Sequence, residues 1–441
     1  MAPRLPSFRN GVHPPENKDL TSGIASRRLP FPDDIILPLS QHLGRPAEAL
    51  VKPGDRVERG DVIAAASGYV SSYVHASAAG VVKSIEHWPH PSGNMQPSIR
   101  IDVDPHSTQL QRPRLVPHWD EVPAEQLSEE ISKAGVVGLG GAAFPMHVKL
   151  RPPEDQPVDV LMVNGCECEP YLTSDHRVML ERPEQVYQGI RIVLRALGIS
   201  RAVIGIEANK PDAIEVMRDT APDDLDIRVQ PLEVKYPQGA EKMLIKAVTG
   251  REVPSGKLPA SVGALVQNVA TTASVAMVFE TGQPLIERIM TVSGRGIREP
   301  GNWVIPFGTK LSDVIVACGG LNDDASEIVF GGPMMGQSQA SLDVPVLKAT
   351  GGILVLSKDE CKRQDILPCI RCGKCLEACP VFLNPQLMGA LARIDRYEEM
   401  VENNLGDCML CGCCSYVCPS NIPLSQLFAM SKAQLARLKV A

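Results

Sequence analysis

Cys369-Ile370-Arg371-Cys372-Gly373-Lys374-Cys375-Leu376-Glu377-Ala378-Cys379-Pro380 recurs, in spacing, as Cys408-Met409-Leu410-Cys411-Gly412-Cys413-Cys414-Ser415-Tyr416-Val417-Cys418-Pro419. A thiol every third residue lets a tight loop wrap a cube and turn its N–H groups toward the sulfides, and the proline leads the chain away. Structural zinc takes four ligands in separated pairs and gives no reason for this spacing to occur twice. Disulfides suit neither so long a chain nor its lack of a secretory signal. Two 4Fe–4S clusters are therefore expected. Cys413, off the spacing, and Cys361, ahead of the first run, are read as non-ligands.

At 441 residues the chain should hold several domains. Apolar content of 44% and charged content of 22% are those of a globular protein. A net charge of −7 argues against nucleic acid as a partner. No run approaches the roughly 20 apolar residues that span a bilayer. The opening Met1-Ala2-Pro3-Arg4-Leu5-Pro6 has no apolar core for a signal peptide. Thirteen cysteines, most of them in cluster spacing, point to a reducing cytoplasm.

Residues 1–30, rich in Pro, Arg and Asn, read as an extended arm. Over 31–106 short β-type runs alternate with turns: Val51 to Ile63 gives a strand, a Pro53-Gly54 turn and a second strand, and Gly80-Val81-Val82 begins another. Over 107–285 strands alternate with helices, which implies a parallel sheet with ligands at its C-terminal edge. The strands are Val158 to Asn164 and Ala202 to Ile206. The helices are Arg182 to Leu197, with an apolar stripe of Val186, Ile190, Val193, Leu194 and Leu197, and Asp212 to Arg218. Over 286–348 short strands and glycine turns suggest a small β-grasp module. The cluster segment fills 349–441, with one helix from Pro385 to Asn403 between the cysteine runs and another from Leu424 to Leu438. That last helix has Leu424, Leu427, Phe428, Leu435 and Leu438 as its apolar face. The expected fold class is thus multidomain α/β plus β with a helical cluster domain.

Two loops in the α/β region carry chemistry. Gly138-Leu139-Gly140-Gly141-Ala142-Ala143-Phe144-Pro145-Met146-His147-Val148-Lys149 is glycine-dense enough for backbone amides to approach a phosphate, with Lys149 as a fixed positive charge. Asn164-Gly165-Cys166-Glu167-Cys168-Glu169-Pro170 leaves a buried strand at its C-terminal end, where an amide and two acids can bind a ring system or ribose hydroxyls. Cys166 and Cys168 have no third and fourth ligand nearby and are read as non-metal.

The cysteine spacing resembles that of bacterial-type ferredoxins, in which the fourth cysteine of each run reaches the other cluster. The resemblance implies Cys369, Cys372, Cys375 and Cys418 on one cluster and Cys379, Cys408, Cys411 and Cys414 on the other. The 31–106 region resembles the barrel-sandwich fold of lipoyl and biotinyl carriers, but Tyr69 to Ala76, where those carry a modified lysine, has none. It is read as a scaffold. Residues 130–280 resemble the NADH-oxidising flavin subunit of respiratory complex I. That likeness assigns Gly138, Gly140, Gly141, Lys149, Asn164 and Glu167 to FMN, and Phe144 and Glu169 to the nicotinamide nucleotide. It adds Gly239 and Glu241 from Tyr236-Pro237-Gln238-Gly239-Ala240-Glu241, and Asn268 and Thr271 from Gln267-Asn268-Val269-Ala270-Thr271. Cys166 stands where that family has Asp.

The order of modules, with the Gly11-Val12-His13-Pro14-Pro15-Glu16-Asn17-Lys18 arm at its head and a β-grasp module of SLBB type before the clusters, resembles the RnfC family of the Rnf complex over essentially the whole chain. The resemblance implies a peripheral electron-transfer subunit on the cytoplasmic face of the bacterial inner membrane. Its partners would be Rnf subunits A, B, D, E and G, with ferredoxin reached through the complex. Non-covalent FMN, two 4Fe–4S clusters and NAD(H) as substrate would relay electrons in a complex that translocates Na+ or H+. A microcompartment cobalamin reductase shares the later modules but lacks residues 1–110. A non-catalytic iron–sulfur scaffold would not need the flavin loops. No nucleophile or general acid is expected.

Overall fold

The computed structural model describes residues 4–111, 118–361 and 364–440. Met1, Ala2 and Pro3 of the opening stretch lie outside them. The arm is not extended throughout, as the sequence suggested: before β1 (Arg27–Arg28) it makes a hydrogen-bonded turn, with the Thr21 and Ser22 amides donating to the Lys18 carbonyl at 3.1 and 2.9 Å. The barrel-sandwich follows as β2 (Asp34–Pro38), β3 (Glu48–Ala49), β4 (Arg56–Val57), β5 (Val62–Ala65), β6 (Val74–His75), β7 (Gly80–Pro89) and β8 (Met95–Val103). These make two sheets, in orders β2-β8-β7-β4 and β3-β5-β6, closed over Ile35, Leu37, Ile63, Val74, Val82, Ile99 and Ile101. The expected Pro53-Gly54 turn is present, with Gly54 at φ +94°, a region that glycine enters freely.

The α/β domain comprises α1 (Ala124–Lys133), α2 (Met146–Lys149), β9 (Val160–Asn164), α3 (Ser174–Glu181), α4 (Pro183–Leu197), β10 (Arg201–Glu207), α5 (Pro211–Asp219), β11 (Asp226–Leu232), α6 (Glu241–Thr249), β12 (Ala264–Asn268) and α7 (Val269–Thr281). Its four strands are parallel in the order β11-β10-β9-β12. The chain moves outward from β9 through β10 and β11, then crosses back to put β12 on the other side. The crevice between β9 and β12 is therefore the topological switch point, where such sheets bind ligands. The apolar stripe of α4 buries Val186, Ile190, Val193 and Leu194, and α4 ends at left-handed Gly198. Gly189 lets α4 approach α7 closely, since a Cβ there would lie 1.9 Å from the Thr272 carbonyl oxygen.

The β-grasp module contains β13 (Glu287–Ser293), β14 (Gly301–Pro306), α8 (Leu311–Ala317), β15 (Ala325–Phe330), β16 (Gln337–Ser338) and β17 (Gly352–Ser357). The sheet order is β1-β14-β13-β17-β15-β16. The sheet thus extends beyond both limits drawn from sequence. The arm supplies its edge, and β17 lies past the boundary placed at 348, because the apolar run Ile353 to Leu356 pairs between β13 and β15.

The cluster domain holds α9 (Lys374–Ala378), α10 (Pro385–Ala392), α11 (Tyr397–Glu402), α12 (Cys413–Tyr416) and α13 (Leu424–Val440). The single helix expected over Pro385 to Asn403 is two. Asp395 takes a left-handed φ of 56°, and the Arg396 amide turns back to the Leu391 carbonyl. On α13, Leu424 and Phe428 are buried and Leu427 and Leu435 half-buried, but Leu438 is exposed. Among the described residues no helix is long and apolar enough to cross a membrane.

Candidate functional site

The sequence-predicted loops meet at the switch point. Asn164 and Asn268 are register partners at the ends of β9 and β12. Asn268 caps α7, its Oδ1 accepting from the Ala270 and Thr271 amides at 2.9 and 3.2 Å. Thr271 Oγ1 in turn accepts from the Leu139 amide at 2.8 Å and so pins the glycine loop to the helix start. Gly140 packs on Asn268, and a Cβ there would meet the Asn268 Cβ at 3.4 Å. Gly141, at φ +116°, has nothing within 4 Å of its Cβ position, and the Gly138 amide closes the loop on the half-buried Phe144 through its carbonyl at 2.9 Å. Lys149 donates to Glu241 at 2.7 Å and to the Val266 carbonyl at 3.1 Å. Asn164 Nδ2 donates to the Gly239 carbonyl at 2.7 Å, which brings the third loop in.

The acids are differently placed. The Glu167 carboxylate accepts from the Asp175 and His176 amides at 2.8 and 3.0 Å, capping α3. Glu169 accepts from the Met334 and Met335 amides at 3.0 and 2.9 Å, with the Tyr236 hydroxyl oxygen 3.4 Å away. It is thus held toward the β-grasp and cluster modules, and burial pushes its carboxyl up to about 7. Cys166 faces back into the sheet, its thiol 3.7 Å from the Gly205 carbonyl and raised by burial, so it does not replace the acid of the complex I loop.

One buried polar atom at this crevice stands without a partner, Asp175 Oδ1, whose other carboxylate oxygen accepts from Asn268 Nδ2 at 2.6 Å. Such groups are costly to leave unmatched. An open glycine cradle and a lysine suit a phosphate, and the orphan Asp175 oxygen suits a polar group beside it, so the residues fit a flavin mononucleotide. Sequence reasoning missed Asp175, Gln238, Gln267 and Tyr236. Tyr236, Gln238 and Gln267 stand inside quoted motifs without a role assigned, Asp175 lies just past one, and only tertiary placement sets them apart.

The cysteines gather in two sets. Cys369, Cys372, Cys375 and Cys418 line one cavity of about 280 Å³. Cys379, Cys408, Cys411 and Cys414 line another, of about 20 Å³, together with Cys413. Among the described residues no three His, Cys, Asp or Glu side chains come close enough for a single metal ion. Burial and the adjacent thiols of Cys411, Cys408 and Cys379 push Cys414 up to about 12. Four thiolates there need a cationic group among them, and four thiols gathered in this spacing suit a cubane by donor chemistry. Cys413 is fully buried between the two modules. Its thiol hydrogen-bonds Cys411 and lies 4.0 Å from the Tyr236 carbonyl oxygen.

One loop joins the two chemistries. Gly239 meets Asn164, while the Tyr236 hydroxyl donates to the Cys411 carbonyl at 2.8 Å. A nucleotide-type crevice wired to paired cysteine cavities defines a flavin and iron–sulfur electron-transfer protein. Family models match in the same order: the RnfC barrel sandwich hybrid domain over 6–106, the Nuo51 FMN-binding domain over 131–277, the SLBB domain over 289–338 and a 4Fe-4S dicluster domain over 365–422. The chain is 44% identical to the C subunit of the proton-translocating ferredoxin:NAD+ oxidoreductase complex of Clostridium ljungdahlii, over 90% of this chain and 87% of that one. It is 40% identical to the Na+-translocating counterpart of Acetobacterium woodii, over 91% and 90%. The C subunit of the ion-translocating oxidoreductase complex of Rhodobacter capsulatus is 42% identical over 98% and 83%. An NAD+-reducing NiFe hydrogenase shares the fold, with TM-score 0.50 and 20% identity over 72% of this chain and 66% of that one. The chain belongs to the RnfC family of the ion-translocating ferredoxin:NAD+ oxidoreductase complexes.

Proposed function

We propose that this electron-transfer subunit exchanges electrons with NAD(H) at an FMN held in the β9/β12 crevice. The cluster held by Cys379, Cys408, Cys411 and Cys414 would be the one beside the flavin, and that held by Cys369, Cys372, Cys375 and Cys418 the outer one. The observation that carries the reading is the 236–239 loop, which touches a crevice asparagine at one end and Cys411 at the other. When bound, flavin supplies exchange between two-electron hydride chemistry and one-electron steps, and cubanes carry single electrons. The chain's own residues position these groups. Gly138, Gly140 and Gly141 leave room for a phosphate, and Lys149 offers it charge. Asn164, Asn268 and Thr271 fix the crevice wall. Glu167 and Glu169 orient the loop beneath and join it to the next modules, and Phe144 offers the nicotinamide nucleotide a flat surface.

In the assembled complex, with subunits A, B, D, E and G, this chain would sit peripherally on the cytoplasmic face of the inner membrane. Lys149→Met tests the crevice. An ammonium–phosphate contact contributes about 1.5–3 kcal/mol, so the variant should release its flavin while keeping both clusters. Full flavin retention would contradict the site.

A further inference from the structure

The arm reaches the α/β, β-grasp and cluster modules. The Glu233 amide bonds to the Pro6 carbonyl, and Asn10 and Gly11 donate to the Cys379 and Ala378 carbonyls at 3.0 and 3.1 Å. Val12 and Tyr236 exchange both amide–carbonyl bonds, the Tyr171 amide donates to the Glu16 carbonyl, and β1 joins the β-grasp sheet. At its centre Lys18 is buried among carbonyls. Its Nζ donates to the carbonyls of Glu167 at 2.9 Å, Glu169 at 2.9 Å and Leu172 at 2.5 Å. An ammonium has three N–H donors, and this loop uses them all. Among the described residues Lys18 makes no salt bridge. Lys210, also buried, holds the preceding carbonyl of Cys166 at 2.6 Å.

The loop so gripped is strained. Glu167 and Tyr171 are non-glycine residues at φ 48° and 67°. Such conformations are costly for residues with a Cβ and persist only where the surroundings fix them. Nothing in the spacing of Asn164 to Pro170 supplies that force. Two ammonium groups do, and one of them comes from far away in sequence.

We propose that Lys18 is a positioning residue for the nucleotide crevice. By clamping three carbonyls of the 167–172 loop, it sets the backbone that carries Glu167 and Glu169, so the N-terminal arm is part of the flavin site without touching the flavin. This rests on the reading that the crevice holds FMN.

The test is flavin affinity, read by fluorescence titration of FMN into the flavin-stripped, cluster-loaded full chain. Lys18→Met keeps the apolar stem and removes the three donors. It should weaken FMN binding at least tenfold and raise the KM for NADH, with iron content unchanged. Lys18→Arg, which has room in the adjoining cavity of about 290 Å³ lined by Glu16, Cys168 and Tyr236, should recover part of that loss. Thr21→Val removes a neighbouring arm contact, the 2.8 Å hydroxyl pair with Thr173, and leaves the carbonyl clamp alone, so it should bind FMN like the wild type. If the Met variant does not fold, hydrogen exchange of residues 166–172 in Lys18→Arg replaces it, and faster exchange than wild type is expected there alone. Wild-type FMN affinity in Lys18→Met, equal losses in Thr21→Val, or unchanged exchange in the Arg variant would overturn the proposal. If Lys149→Met and Asn164→Ala also retain FMN, the crevice reading itself has failed; if they lose it and Lys18→Met does not, only the role of Lys18 has.

Discussion

The two cysteine runs have the same backbone and opposite surroundings. Arg371 and Leu410 take φ 56° and 57°, and Gly373 and Gly412 take φ 79° and 80° with the same ψ of −10°. The repeated spacing imposes the repeated loop. Yet Cys369 and Cys372 are exposed, whereas their counterparts in the second run, Cys408 and Cys411, are half-buried and buried. A Cβ on Gly373 would meet nothing within 4 Å, whereas one on Gly412 would lie 2.7 Å from the Met334 carbonyl oxygen. On the proposed reading one motif thus serves two positions in a relay: an inner one sealed against the α/β domain by Tyr236 and the 332–335 turn, and an outer one with exposed thiols. Ligand spacing specifies what is bound, and packing specifies where electrons can go next.

The comparison breaks first at the cross-over cysteines. Cys379→Ser and Cys418→Ser should each reduce the iron of anaerobically reconstituted chain from about eight to about four atoms. Cys413→Ser keeps a donor beside Cys411 and should leave the iron unchanged. Iron and acid-labile sulfide assays check this, and loss of iron in the Cys413 variant would move that residue into the ligand set.

The glycines sharpen the contrast. Gly373→Ala and Gly412→Ala carry the same cost of a left-handed alanine, roughly 1 kcal/mol. Only Gly412→Ala also collides with the Met334 carbonyl. It should loosen the cluster domain, seen as easier proteolysis near 364–368 and a larger fall in melting temperature than Gly373→Ala. Equal effects would mean that the inner face is not tightly packed in solution.

Much of this architecture was legible beforehand, and the reasons differ by region. Cluster spacing is local, so the cysteines could be read directly. The glycine loop and the Asn164 loop were legible because their residue types are rare together. What could not be read was the reach of the arm. Its Pro-rich composition suggests only an extended chain, and the burial of Lys18 against 167–172 depends on contacts across more than a hundred residues. The two acids show the same limit. Glu167 and Glu169 are read as ligand-binding groups in sequence, and no spacing shows that their carboxylates also hold a helix start and the Met334–Met335 amides.

A smaller effect follows from Glu169. Its carboxyl is raised to about 7 against an ordinary 4.5, chiefly by burial. With the folded value above the unfolded one, its contribution to stability is full below pH 4.5 and is lost as the pH rises to about 7, on the order of 3 kcal/mol. Glu169→Gln should flatten that part of a melting-temperature profile taken from pH 4.5 to 8, and should raise the NADH requirement with flavin and iron contents normal. An unchanged profile would place the carboxylate in water, away from the inner cluster.

The central claim is the order of the relay, and stopped-flow reduction by NADH of the flavin-loaded Cys379→Ser and Cys418→Ser variants tests it most directly. In Cys418→Ser the inner cluster remains, so flavin and cluster absorbance should bleach together on the wild-type timescale. In Cys379→Ser the flavin should bleach while the surviving outer cluster stays oxidised or follows far more slowly. The reverse pattern, prompt cluster reduction in Cys379→Ser and none in Cys418→Ser, would contradict it.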